Sequence, residues 1–144
     1  VSEQDELAKV RAERAALSEA RAQREEARSI AEQLENETRA LRDEQAIAKA
    51  EEEIGPQGKR IMCIQTDMGV VIVKKPHAVS FRKFQDKGET DHEDLLKLVS
   101  PCLVYPSKEQ FAVLLDDLPA TLQRCANAVA TLAGVRVKEV TGKS

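Results

Sequence analysis

With 144 residues, 42% of them hydrophobic and 33% charged at a net charge of −3, the chain has room for one domain, or for one small domain and an extension. The charge is unevenly shared: residues 1–54 carry nine Lys/Arg against fifteen Asp/Glu, a net of −6, and residues 55–144 carry thirteen against ten, a net of +3. This asymmetry permits head-to-tail attraction between copies, but neither half gathers the basic surface that a nucleic-acid binder needs.

From residue 3 to about residue 53 there is no Gly and no Pro, and Ala, Glu, Arg, Gln and Leu dominate. All are favoured in helices, and an unbroken helix of that length is a rod of about 75 Å. Ala20, Ala27, Leu34, Leu41 and Ala48 recur every seventh residue, with Val10, Leu17, Ala31 and Thr38 on the companion register. That is a thin coiled-coil seam, interrupted by Arg24 and Gln45. It makes Leu17, Ala20, Ala27, Leu34 and Leu41 the expected self-association residues, in a homo-oligomer whose helices hold one another folded. Equally, the segment reads as a solvated helix with i,i+4 charge pairs such as Glu35 with Arg39.

Gly55, Pro56 and Gly58 cannot continue a helix and mark a hinge over 55–60. Two β-favouring runs follow, Ile61-Met62-Cys63-Ile64-Gln65 and Val70-Val71-Ile72-Val73-Lys74, separated by Thr66-Asp67-Met68-Gly69; they read as a hairpin. Two strands are marginal alone, so the hairpin lies on a helical core or pairs with another copy. The segment from His77 to Asp86 sets Phe81 and Phe84 three apart on one helical face, ended by Lys87-Gly88. Thr90 with Glu93 forms a capping box for a helix through Val99, which Pro101 stops. The apolar run over 95–106 turns the chain in on itself, with residues 102–106 crossing the interior. Phe81, Phe84 and the helices over 111–135 are there to cover it. Ser107 with Gln110 opens a helix carrying Phe111, Leu114 and Leu115. After Asp116-Asp117 and Pro119, a last helix spaces Leu118, Leu122, Cys125, Ala126, Val129 and Leu132 by three and four, with Gly134 as its C-cap.

The expected fold class is therefore mainly α (α+β). A long N-terminal helix over 1–54 and a hinge over 55–60 precede a hairpin-plus-helices domain over 61–135 with about four short helices, and a frayed tail covers 136–144. The three cysteines, Cys63, Cys102 and Cys125, are odd in number, widely spaced and set among apolar neighbours, as buried reduced thiols of a cytosolic protein are. No apolar run approaches the ~20 residues that span a bilayer, and the polar start from Ser2 does not read as a secretory signal, so no membrane role is expected. Val1 in place of Met suggests a processed or trimmed start.

Groups for chemistry are scarce. His77 and His92 are the only histidines, both in polar segments, and neither Cys-x-x-Cys nor His-x-x-x-His occurs. Asp116 and Asp117 are adjacent, so their side chains point apart, and two acids between helices are ordinary capping chemistry. Gly55-Pro56-Gln57-Gly58 lacks the lysine and hydroxyl of a phosphate loop. Arg82-Lys83 between Phe81 and Phe84 is explained by the solvated face of an amphipathic helix rather than by nucleic acid. The expectation is a protein with no enzymatic activity, cofactor, metal or nucleic-acid partner, acting by binding or assembly.

From Val70 to about Val135 the order of features resembles the tail assembly chaperones of long-tailed bacteriophages. The similarity runs through Val73-Lys74-Lys75-Pro76, Phe81-Arg82-Lys83-Phe84 and the acidic helix with Leu95-Leu96. It continues through Cys102-Leu103-Val104-Tyr105-Pro106-Ser107, Asp116-Asp117-Leu118-Pro119 and the closing Leu132-Ala133-Gly134, a little under half the chain. The resemblance implies a non-enzymatic partner of the tape-measure protein, in the cytoplasm of the bacterial host, that coats its apolar helices, often as an oligomer. It also implies recruitment of tail-tube subunits and departure before maturation. A groove for a partner helix would hold i, i+3, i+4 anchors, and Phe81, Phe84, Leu95, Leu98 and Tyr105 are the residues expected in or near it; alternatively, all five are core. The acidic helix before residue 54 is outside the resemblance and leaves a second reading, a coiled-coil structural or adaptor component of a virion or other large assembly.

Overall fold

From Glu3 to Glu53 the chain is one unbroken helix, α1, as the absence of Gly and Pro predicts. Ser2 caps it, the Asp5 amide donating to Ser2 Oγ at 3.2 Å, and Glu3, Asp5 and Glu6 set negative charge on the positive end of the helix dipole. Gly55 ends it at φ +148°, where any Cβ would lie 2.6 Å from Arg60 Cγ, so this turn requires glycine twice over. The computed structural model describes residues 2–135, so the tail expected over 136–144 lies outside the described residues. The chain divides into two units, one reaching to Leu41 and the other beginning at Arg42.

The first unit is helix alone. Its apolar side chains Leu7, Val10, Leu17, Ile30, Leu34 and Leu41 are exposed. Glu35 and Arg39 form the expected i,i+4 pair at 3.6 Å, a contact at the surface that stabilises by no more than about 0.5 kcal/mol.

The second unit begins inside α1, not at the hinge, because the last turns of the helix are needed to cover a sheet. Strands β1 (Ile61–Thr66), β2 (Gly69–Lys74) and β3 (Leu103–Tyr105) form an antiparallel sheet in the order β1-β2-β3. The hairpin register runs from Ile61 opposite Lys74 to Thr66 opposite Gly69, and Thr66 Oγ1 closes the turn by donating to the Gly69 carbonyl at 2.7 Å. The run over 102–106 does not cross the interior as a free segment. Leu103–Tyr105 pairs with β2, Ile72 opposite Tyr105 and Val73 opposite Leu103 with a register shift between them, because a backbone buried there must find its hydrogen bonds in a ladder.

Strand alternation divides the interior into two clusters, one on each face of the sheet. Ile61, Val70 and Ile72 pack with Ala50, Ala46 and Ile47 of α1, joined by Cys63, Val104 and Tyr105. Ile64, Val71 and Val73 pack with the other helices. β2 is buried on both faces for that reason. β3 pairs with β2 only at Ile72 and Val73, and the Val70 amide donates instead to Asp43 Oδ2 of α1 at 3.0 Å.

Helices α2 (Ala78–Asp86), α3 (His92–Val99), α4 (Lys108–Asp117) and α5 (Thr121–Leu132) cover the second face. Phe81 and Phe84 stack with centroids 6.2 Å apart. α4 starts as expected, the Gln110 amide donating to Ser107 Oγ at 3.2 Å. α5 buries Leu122, Cys125, Ala126, Val129 and Leu132 at the expected spacing, and Gly134 follows its end at φ +108°. Leu118 does not belong to α5; its amide closes α4 on the Leu114 carbonyl. Pro101 is not an abrupt stop either, since a 3-10 turn over Ser100–Cys102 carries the chain through it into β3. The fold is mainly helical with one small sheet, the expected class.

The cap of α3 is built one residue later than expected, by Asp91 and Asp94 instead of Thr90 and Glu93. Asp94 is only 7% exposed, so its carboxylate must be satisfied, and it accepts from the Asp91 amide and from Lys87 Nζ. Lys87 foremost, then the Asp91 amide, hold the Asp94 carboxyl below its ordinary value, and Asp94 holds the Lys87 ammonium above its own. A depressed carboxylate pKa stabilises the fold fully above the ordinary aspartate value of 3.8, and that contribution is lost as pH falls through the lower folded value. The raised lysine contributes fully below 10.5 and is lost as pH rises through its higher folded value. Asp94→Asn is therefore expected to lower the urea midpoint at neutral pH and to flatten its fall on acidification. Parallel acid titrations of both proteins would count against the cap's role.

Candidate functional site

The five residues expected at a partner groove do not line one surface. Phe81 and Leu98 are buried in the helical core, and Phe84 and Leu95 pack half-buried against it. Tyr105 belongs to the cluster on the α1 face of the sheet. The physical reason is the sheet: once β3 joins β2, its tyrosine is committed to the face opposite the α2 and α3 side chains.

The expected self-association row is open. Leu17, Ala27, Leu34 and Leu41 are exposed and Ala20 is half-buried. Arg24, which interrupts the seam, folds back to donate from Nε to the Ala20 carbonyl at 3.4 Å. This row is distinct from the residues that the sheet takes up, Asp43, Ala46, Ile47 and Ala50; Ala48, the last of the heptad row, stays exposed between them. The sequence signal for those four was present as an i, i+3, i+4, i+7 set, but it was masked by the stronger sevenfold repeat of alanine and leucine.

A cleft of about 520 Å³ opens in the second unit where the turn before β1, the end of β2, the link into α2 and the end of α3 meet. Arg60, Lys74, Lys75, His77 and Lys97 line it together with Ser80, over an apolar floor of Pro76, Leu98, Pro101 and Cys102. The Lys75 amide donates to the Arg60 carbonyl at 3.0 Å and ties two of its walls together. No carboxylate lines the cleft, and among the described residues none of its four permanent cations is in an ion pair. A second cleft, of about 340 Å³, lies between the β1–β2 turn and the start of α5. Its cation, Arg124, donates to the Gln65 carbonyl at 2.8 Å.

The thiols are set for packing. All three are free; Cys102 and Cys125 are buried and Cys63 half-buried. Burial raises each thiol pKa: Cys63 with help from the negative charge of Glu51, Cys102 against the pull of Lys74, and Cys125 up to about 11. Nucleophilic cysteines need the opposite shift. His77 and His92 stand exposed at the beginnings of α2 and α3, His77 without a side-chain cap hydrogen bond. Among the described residues no group of three or more His, Cys, Asp or Glu is close enough to hold a metal ion, and no helix is long and apolar enough to cross a membrane. The described surface carries an open apolar row on α1 and a cationic cleft in the second unit. Comparison of the chain with models of protein families, with curated proteins and with solved structures finds no match.

Proposed function

We propose that this chain is a non-enzymatic assembly protein that works by holding helices, and within that class a bacteriophage tail assembly chaperone, active in the host cytoplasm, that shields the tape-measure protein and recruits tail-tube subunits. The observation that carries the helix-holding role is the apolar row left open along α1, where Leu34 is 67% exposed. Single exposed apolar residues are ordinary, but a row at helical spacing is a surface made to be covered. The chaperone assignment rests on the sequence resemblance over 70–135. Segments from β2 to α5 each contribute side chains to the buried core of the second unit.

Co-expression with a long apolar helical fragment of a tape-measure protein tests the reading. The full chain is expected to keep the fragment soluble, and Leu34→Lys with Leu41→Lys to lose that ability. A fragment equally insoluble with and without the chain would sink it. A second reading, a coiled-coil structural or adaptor component, is favoured by the sevenfold spacing of Ala20, Ala27, Leu34 and Leu41. Under it the same double substitution turns oligomers into monomers, and the protein stays in purified particles, from which a chaperone is missing.

A further inference from the structure

The cationic cleft beside Lys74 is unused by the helix-holding role, and so is the acidic first turn of α1. We propose that the two are complementary: the cleft of one copy takes the first turn of α1 from a second copy, so that copies join head to tail.

Four permanent cations around an apolar floor, with no carboxylate among them, call for a ligand that is both anionic and apolar. The chain contains such a ligand. Glu3, Asp5 and Glu6 precede Leu7, which is 48% exposed, with no Lys or Arg before Lys9. Glu3, Glu6 and Leu7 stand at i, i+3 and i+4, so two carboxylates and one apolar side chain share a helical face. Among the described residues none of the three acids is in an ion pair. Glu3 and Glu6 stand on the two registers of the seam, ahead of its first apolar residue, Val10, so the docking face is the acidic N-terminal extension of the seam face. The leucine would lie against Pro76 and Pro101 while the carboxylates meet Lys74, Lys75, Lys97 and Arg60. The division of the chain into an acidic and a basic part, −6 and +3, is then a polarity between binding partners.

Such a contact joins different surfaces of identical copies. It is heterologous, and it builds rings or open chains instead of closed two-fold dimers. It is also electrostatic and exposed, so it weakens as the Debye length shrinks from about 10 Å at 0.1 M salt to about 3 Å at 1 M. Association through the apolar α1 row lacks that salt sensitivity, which separates the two experimentally.

Sedimentation velocity of the full chain at about 0.05 M and about 1 M NaCl reads this directly. Species growing with protein concentration are expected at low salt and lost at high salt, while any dimer held by the α1 row persists. Lys74→Glu with Lys97→Glu in the cleft, or Glu3→Lys with Glu6→Lys in the first turn, is expected to weaken the salt-sensitive association at least tenfold. All four substitutions in one chain are expected to restore it by reversing both charges. A peptide of residues 2–16, acetylated and amidated so that its first turns can form helix, should compete with the wild-type chain's association without any substitution, which guards against a variant that fails to fold. Association untouched by the cleft substitutions, or not restored in a folded chain carrying all four, overturns the proposal, as does a peptide that fails to compete. Loss of the salt-resistant dimer on Leu34→Lys bears on the α1 row alone.

Discussion

A chain cut to begin at Gly58 is expected to aggregate or unfold, whereas one cut to begin at Arg42 folds like the full chain. The hinge over 55–60 is where composition places the boundary, and a truncation designed from the sequence would fall there. It would strip Ala46, Ile47 and Ala50 from the sheet and leave Ile61, Val70 and Ile72 facing water on one side. Burying one such side chain stabilises by about 1.5–3 kcal/mol. With neighbouring strands still giving partial cover, the loss is expected at about 3–6 kcal/mol. Domains of this kind have about 5–15 kcal/mol in all, so that is a large share of the whole. The uncovered face would also be a contiguous apolar patch, and aggregation would follow from it. Urea unfolding followed by circular dichroism, with dye binding to exposed apolar surface, compares the two truncations. Equal midpoints and equal dye binding would show that the end of α1 contributes nothing to the second unit. The same result constrains functional work: loss of activity in a chain beginning at Gly58 would report a damaged domain, not a missing coiled coil.

Phe111→Ala is expected to lower stability by about 3–5 kcal/mol and the Tm by more than about 10 °C, while Val113→Ala, two residues along the same helix, changes it by about 0.5 kcal/mol or less. Phe111 is 4% exposed within the helical core, and Val113 is 58% exposed. α4 contributes Phe111 and Leu114 to the buried helical core, so removing the ring leaves a cavity among Leu, Val and Cys side chains that are already packed. Both variants keep the Ser107 cap and nearly the same helix propensity, which makes the contrast a measure of burial alone. Thermal unfolding of the two proteins side by side checks it. A Phe111 variant that melts close to the Val113 variant would mean that the core closes over the gap or is not packed as described.

Much of the fold is legible in the sequence because it depends on local signals. The Gly-free, Pro-free run makes α1, the two β-branched runs make β1 and β2, and Ser107 with Gln110 and Gly134 mark helix ends where they stand. What eludes the sequence is non-local. Leu103–Tyr105 is three residues long between two prolines, too short to show alternation, and becomes a strand only because β2 has an edge to offer. The end of α1 covers the sheet through Asp43, Ala46, Ile47 and Ala50, where two alanines give little hydrophobic signal and one half-buried amide-to-carboxylate bond gives none. The cap of α3 is displaced by one residue because Lys87, seven positions away, selects Asp94.

The candidate surfaces divide along the same line. The open row on α1 follows from heptad spacing, which is a property of one helix. The cleft draws on four separate segments, from Arg60 to Lys97, and Lys74-Lys75 beside a proline gives no hint that Lys97 stands across from them. The five-residue groove fails as a single surface for the converse reason: closeness in the chain between Leu98 and Tyr105 says nothing about which side of a sheet each one joins.

The thiols carry a last consequence. Cys125 is wholly enclosed and its pKa is pushed to about 11, while Cys63 is half-buried, so a thiol reagent meets one residue in the native molecule and the other only after the helical layer has parted. The molecule thus holds an internal stopwatch for its own breathing. How long Cys125 stays unlabelled, compared with Cys63 on β1, counts the moments at which the interior is briefly open, with no substitution needed to place the reporter.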